Sequence, residues 1–182
     1  MTLVCFGELL LRLSSPRREL LLQSPALEVC VGGAEANVAV GLASLGHKVR
    51  LVSAVPDNAL GRAAVAAVRG HGVDTSAVQV LPGRMGLYFL APGAGLRASE
   101  IVYDRAGSSF ASALADAFDW PALLAGATRL HLSGITPALG PASAAAAIAA
   151  AEAASAAACP SRSTETTAPS FGRPGPAIPG RC

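Results

Sequence analysis

The chain has 182 residues, of which 52% are hydrophobic, 14% charged and only 4% aromatic, with 19 glycines and 13 prolines. That balance supports one domain with a true core and excludes a disordered polyelectrolyte, a collagen-like fibre and a disulfide-dense miniprotein. A formal charge of +2 is too small to suggest a nucleic-acid partner. Four cysteines without metal-like spacing (Cys5, Cys30, Cys159 and Cys182) suggest a reducing, cytoplasmic setting. Met1 leads straight into an apolar strand pattern, so nothing points to export.

Thr2 to Phe6 reads as a buried strand ending at Gly7. Ala34 to Leu45 carries Val38, Leu42 and Leu45 among small residues and stops at Gly46, the pattern of a helix with a glycine beyond its end. Val49 to Val55 is a second buried strand. Asn58 suits the N-cap of a helix through Val68 that ends at Gly70 or Gly72. Val78 to Leu81, Gly86 to Ala91 and Glu100 to Tyr103 read as strands joined by turn-rich loops. A helical pattern covers Ser109 to Phe118, a buried strand Arg129 to Ser133, and an alanine-rich helix Pro141 to Ala158. Alanine is the best helix former but only weakly apolar, and Glu152 interrupts the stretch. It therefore reads as a helix on a soluble core, with no membrane partner. Such alternation implies an α/β fold, a three-layer α/β/α sandwich around a mainly parallel sheet. The consecutive strands at residues 78–105 suggest a small β appendage beside it.

From Cys159 to Cys182 the composition changes. Prolines at 160, 169, 174, 176 and 179 oppose a long helix or a central strand. Arg162, Arg173 and Arg181 against Glu165 account for the whole net charge, so residues 1–158 are neutral. These observations divide the chain into a domain at 1–158 and a disordered or out-of-frame tail at 159–182.

Two groups of residues carry chemistry. Gly32-Gly33-Ala34-Glu35-Ala36-Asn37 lies between a strand-like run and a helix, where glycines let a ligand approach the backbone and the helix start offers free N–H groups. Asn37 supplies a donor and an acceptor, which suits a sugar hydroxyl. The spacing is not G-x-G-x-x-G, which disfavours a dinucleotide. The second group is Tyr88 after Gly86-Leu87, with Tyr103-Asp104-Arg105. Both tyrosines of the chain fall in the β appendage. Arg105 can meet a carboxylate with two prongs, and phenols can bond to a polyol, although a Tyr–Arg stack within a hairpin explains the same residues.

Phe6-Gly7-Glu8-Leu9-Leu10, GGAEANVAVGLASLG at 32–46, GLY at 86–88, YDR at 103–105 and HLSGITPAL at 131–139 occur in the order and spacing of a known family. Over residues 1 to about 158 the chain resembles the ribokinase-like (PfkB) carbohydrate kinases, and within them the 2-keto-3-deoxygluconate kinases. The resemblance implies a ribokinase-like sandwich with a β lid, mainly at 78–105, over a sugar site. It places Glu8, Gly32, Gly33 and Asn37 at the pocket floor and Tyr88, Tyr103 and Arg105 on the lid side, with Arg105 facing a sugar-acid carboxylate. His131 and Ser133 take core roles. It further implies ATP and Mg²⁺ as cofactors, a small-molecule sugar acid as substrate, and a possible homo-oligomer through the lid. Kinases for fructose or ribose, and a non-catalytic sugar-binding fragment, remain open alternatives.

The family's D-T-x-G-A-G-D segment, which implies the phosphate-binding glycines and the general base, has no counterpart in this sequence. No catalytic residue is therefore assigned, the ATP pocket is largely missing, and the chain is expected to be inactive alone. One choice of codons for VPVSFDGNYRAKLWAAW, a continuation with the strand and NYR segment that the resemblance implies next, reads as Cys159 to Pro174 when its first base is dropped. The tail is accordingly read as a frameshift product, and the fold as truncated on its C-terminal side.

Overall fold

The computed structural model describes residues 2–157 and the backbone of residues 161–164. Its strands are β1 (Thr2–Phe6), β2 (Leu10–Ser14), β3 (Glu28–Gly32), β4 (Lys48–Val55), β5 (Val78–Val80), β6 (Gly86–Ala91), β7 (Glu100–Asp104), β8 (Ala127–Ser133) and β9 (Ser161–Thr164). The α-helices are α1 (Ala34–Ser44), α2 (Ala59–Gly70), α3 (Trp120–Leu123), α4 (Ile135–Ala138) and α5 (Pro141–Ala156). Five strands form a parallel sheet in the order β5-β4-β1-β8-β9.

Period-two alternation along these strands sends side chains to two separate cores. Val4, Phe6, Val52, Ala54, Leu130 and Leu132 join Phe110, Phe118, Trp120 and the alanines of α5 on one face. Cys5, Val49, Leu51 and Val55 meet Ala36, Ala39 and Val40 of α1 and Ala64 and Val68 of α2 on the other. Helices on both faces of a parallel sheet make the expected three-layer α/β sandwich. α5 buries Ser143, Ala146, Ala147, Ala150 and Ala154, a stripe at helical spacing. Among the described residues no helix is long and apolar enough to cross a membrane. Asn58 caps α2 as expected, its Oδ1 accepting from Gly61 N at 3.0 Å.

A second sheet has the order β3-β2-β6-β7. This corrects the expected appendage at 78–105 in two ways. β5 pairs in parallel with β4 and belongs to the main sheet. Half of the second sheet comes instead from Leu10–Ser14 and Glu28–Gly32, whose short strands carry Arg12, Ser14 and Glu28 and so lack a continuous apolar run.

Ser109 to Phe118 forms no α-helix: only the 3-10 turn Ala115–Ala117 is regular. Tertiary packing overrides the local pattern there, because Phe110 and Phe118 must both reach Phe6, at ring-centroid distances of 5.3 and 5.2 Å. Within the segment read as a tail, Ser161–Thr164 lies parallel to β8 as β9. A sheet edge offers backbone groups to any extended partner, whatever its side chains. The frameshift reading of the remaining tail lies outside the described residues. Cys5 is a free, buried thiol, but Cys30 is disulfide-bonded, which departs from the expectation of reduced cysteines.

Candidate functional site

In an open parallel sheet the crevice for a ligand lies beyond the carboxyl ends of strands whose connections leave in opposite directions. Here those strands are β1, from which the chain goes on to β4 on one side, and its neighbour β8, from which it goes on to β9 on the other. Beyond their ends lie Gly7 and Glu8 after β1, and Gly134 after β8. The turn into α1 completes the crevice.

Glu8 is 2% exposed, yet both carboxylate oxygens are engaged. Arg105 Nε donates to Oε2 at 2.6 Å and Ser108 Oγ donates to Oε1 at 2.5 Å. Two glycines make room for this residue. A Cβ on Gly86 would lie 2.3 Å from Glu8 Oε1, and one on Gly33 would lie 2.3 Å from the Glu8 carbonyl oxygen. Gly33 also has φ +144°, a backbone region that side chains rarely adopt. Leu9 N donates to the buried Ser53 Oγ at 3.1 Å, holding the chain after Glu8 against β4.

Gly33 begins α1, and its carbonyl accepts from Asn37 N at 2.8 Å. Gly32 lies against the ring and hydroxyl of Tyr88. Strand register aligns Cys30, Arg12, Tyr88 and Tyr103 in one row across the second sheet. The two phenol rings stand 5.8 Å apart at 42°. Burial raises the Tyr88 pKa above its usual value of 10.0, while a hydrogen bond and the positive charge of Arg12 oppose that rise. Thus Glu8, Gly32, Gly33, Asn37, Tyr88, Tyr103 and Arg105 form one connected neighbourhood where the second sheet meets the end of β1.

A second buried carboxylate lies beside it. Glu35, in the first turn of α1, is 1% exposed and accepts from both Ser133 N (3.1 Å) and Ser133 Oγ (2.5 Å). It packs on Gly7, where a Cβ would sit 2.0 Å from its Oε2. Glu35 therefore ties the ends of β1 and β8 to the start of α1, close to the positive end of the helix dipole. Sequence reasoning left Glu35 unassigned, although an acidic residue in a helix's first turn beside two glycines was the available signal. Ser133 is buried as expected, but His131 is only half-buried. It borders a cavity of about 480 Å³ with Leu3, Val38, Leu42, His47, Thr128 and Arg129. Burial lowers its pKa below 6.5, against the opposing charge of Glu35.

Residues 2–170 match the model of the pfkB family carbohydrate kinases. The chain belongs to the pfkB family. The match runs past residue 158, where the resemblance read from the motifs stops. The chain is 37% identical over 139 residues to a 2-dehydro-3-deoxygalactonokinase of Haloferax volcanii, covering 75% of this chain and 43% of that protein. It is 35% identical over 144 residues to a 2-dehydro-3-deoxygluconokinase of Thermoproteus tenax, again covering 43% of the relative and 76% of this chain. The crystal structure of a 2-dehydro-3-deoxygluconokinase from Thermotoga maritima superposes with a TM-score of 0.87 at 40% identity, over 90% of this chain and 50% of that one. The chain thus spans about half the length of the pfkB relatives it matches.

Proposed function

We propose that this chain forms the sugar-binding part of a kinase for 2-keto-3-deoxy sugar acids. The observation that carries the reading is the Arg105 guanidinium, held through Nε by Glu8 just beyond the end of β1 and two residues along the chain from Tyr103, which pairs with Tyr88. A carboxylate bound there would meet the terminal guanidinium nitrogens, while the phenols and Asn37 would bond to the polyol. Membership of the pfkB family supports ATP as phosphoryl donor with Mg²⁺, and a cytoplasmic location where both are plentiful. Among the described residues no cluster of three or more His, Cys, Asp or Glu could hold a metal ion, and the residues assigned here act on the sugar alone. Because this sequence has no D-T-x-G-A-G-D segment, the chain by itself is expected to bind without turnover, since transferring a phosphoryl group requires stabilisation around it.

The reading extends to a homo-oligomer through the opposite face of the second sheet. There Val29, Leu13, Phe89 and Val102 stand in one register row, with Val29 and Val102 exposed. A second copy of the chain would cover that row.

A neutral sugar of the fructose or ribose type is the second reading, favoured because Glu8 already balances the charge of Arg105. Calorimetric titration of the chain with 2-keto-3-deoxygluconate and with fructose separates the two. Binding of the acid is expected, and Arg105→Ala should weaken it by about 2–5 kcal/mol. Tighter binding of fructose, or acid binding indifferent to Arg105, would reject the sugar-acid reading.

A further inference from the structure

Arg84 lies outside the candidate site, two residues before β6, yet its bonds converge on the segment that carries Arg105. Its Nε donates to the Ala106 carbonyl at 3.2 Å. Nη1 donates to Asp104 Oδ2 at 3.1 Å, and Nη2 donates both to the Asp104 carbonyl at 3.2 Å and to Asp104 Oδ1. The residues on either side of Arg105 are therefore held by one guanidinium. The Arg84 backbone adds to this: it bridges Ser108, and its carbonyl accepts from Ser109 N at 2.9 Å. Ser108 in turn bonds to Glu8. The same stretch that cradles Glu8 at Gly86 thus also fixes the turn from which Arg105 reaches it.

We infer that Arg84 is a positioning residue, which sets the direction of Arg105 and with it the preference of the site for an acid over a neutral sugar. This rests on the sugar-acid reading above. The Arg84–Asp104 pair is 40% and 48% exposed, so its direct contribution to stability is small. Its effect lies in geometry, because a rigid planar fork fixes the relative positions of the groups it bonds, whereas a lysine ammonium is one point of charge on a flexible stem.

The test compares the full chain with Arg84→Ala, Arg84→Lys and the swap Arg84→Asp/Asp104→Arg. Binding of 2-keto-3-deoxygluconate and fructose is measured by calorimetry, and amide hydrogen exchange is followed across residues 104–109. Arg84→Ala is expected to weaken acid binding about tenfold and to leave fructose binding unchanged. Arg84→Lys should resemble Arg84→Ala, and the swap should regain part of the loss. Faster exchange at Ser108 and Ser109 should accompany the loss, with melting temperature nearly constant. An equal loss for both sugars, or acid affinity unchanged in Arg84→Ala, overturns the proposal. If the unmutated chain binds no sugar acid, the functional reading fails instead. Exchange then decides alone: acceleration at 104–109 sustains the positioning role, and unchanged exchange removes it.

Discussion

Glu35 lies inside the parallel-sheet core, whereas Glu8 lies at the joint between the two sheets. Both carboxylates are almost fully buried, and both rest on a glycine with no space for a side chain, Gly7 in one case and Gly86 in the other. Their partners differ. Glu35 is satisfied by the neutral backbone and hydroxyl of Ser133, within the core. Glu8 meets a guanidinium and a hydroxyl from the segment after β7, and the Arg105 side chain is 14% exposed. The same device gives a permanent tie where every donor belongs to the core. It gives a tie open to competition where a charged partner arrives from another sheet and keeps some access to solvent.

The largest expected effect comes from breaking the core tie. Glu35→Ala strands a buried N–H and a buried hydroxyl and should cost about 3–4 kcal/mol in urea unfolding, with one cooperative transition. A loss under about 1 kcal/mol would mean that Ser133 finds other partners. Glu8→Gln, which keeps size but leaves the guanidinium unbalanced, should cost about 2–3 kcal/mol. Its signature should be local, with amide exchange accelerated at residues 100–109 more than in β1 or β8. Equal acceleration everywhere would erase the distinction between joint and core.

The smallest effect is a pH dependence. Burial holds His131 below its usual pKa of 6.5, so on acidification the unfolded chain takes up the proton first. Stability from this residue is complete above pH 6.5 and declines as the pH falls below it. His131→Gln should flatten that slope. Glu35→Gln, by removing the charge that opposes the shift, should move the His131 titration seen by NMR lower still. An unshifted titration would show that the two groups do not sense each other.

Much of the main sheet was legible because its strands are short apolar runs bounded by glycine, as at Thr2–Phe6, and because Asn58 is a clear cap. Membership of the second sheet was not, since β2 joins β3 to β6 across a long stretch of chain and both short strands carry polar residues. The candidate residues could be named from motifs, but their mutual neutralisation could not. That Glu8 and Arg105, ninety-seven positions apart, form an ion pair is a property of the assembled joint. Arg84 was invisible for the same reason: its role consists of bonds to Asp104 and Ala106 that no local spacing announces.

The aromatic residues divide between the same two regions. The chain's single tryptophan, Trp120, is 4% exposed and stacks edge-on to Phe6 at 4.8 Å, in the core beneath the parallel sheet. Both tyrosines stand together on the second sheet. The protein therefore contains its own pair of optical reporters, with indole emission following the sandwich and phenol absorbance following the smaller sheet. Movement of one sheet against the other can be watched by ultraviolet light without attaching any label.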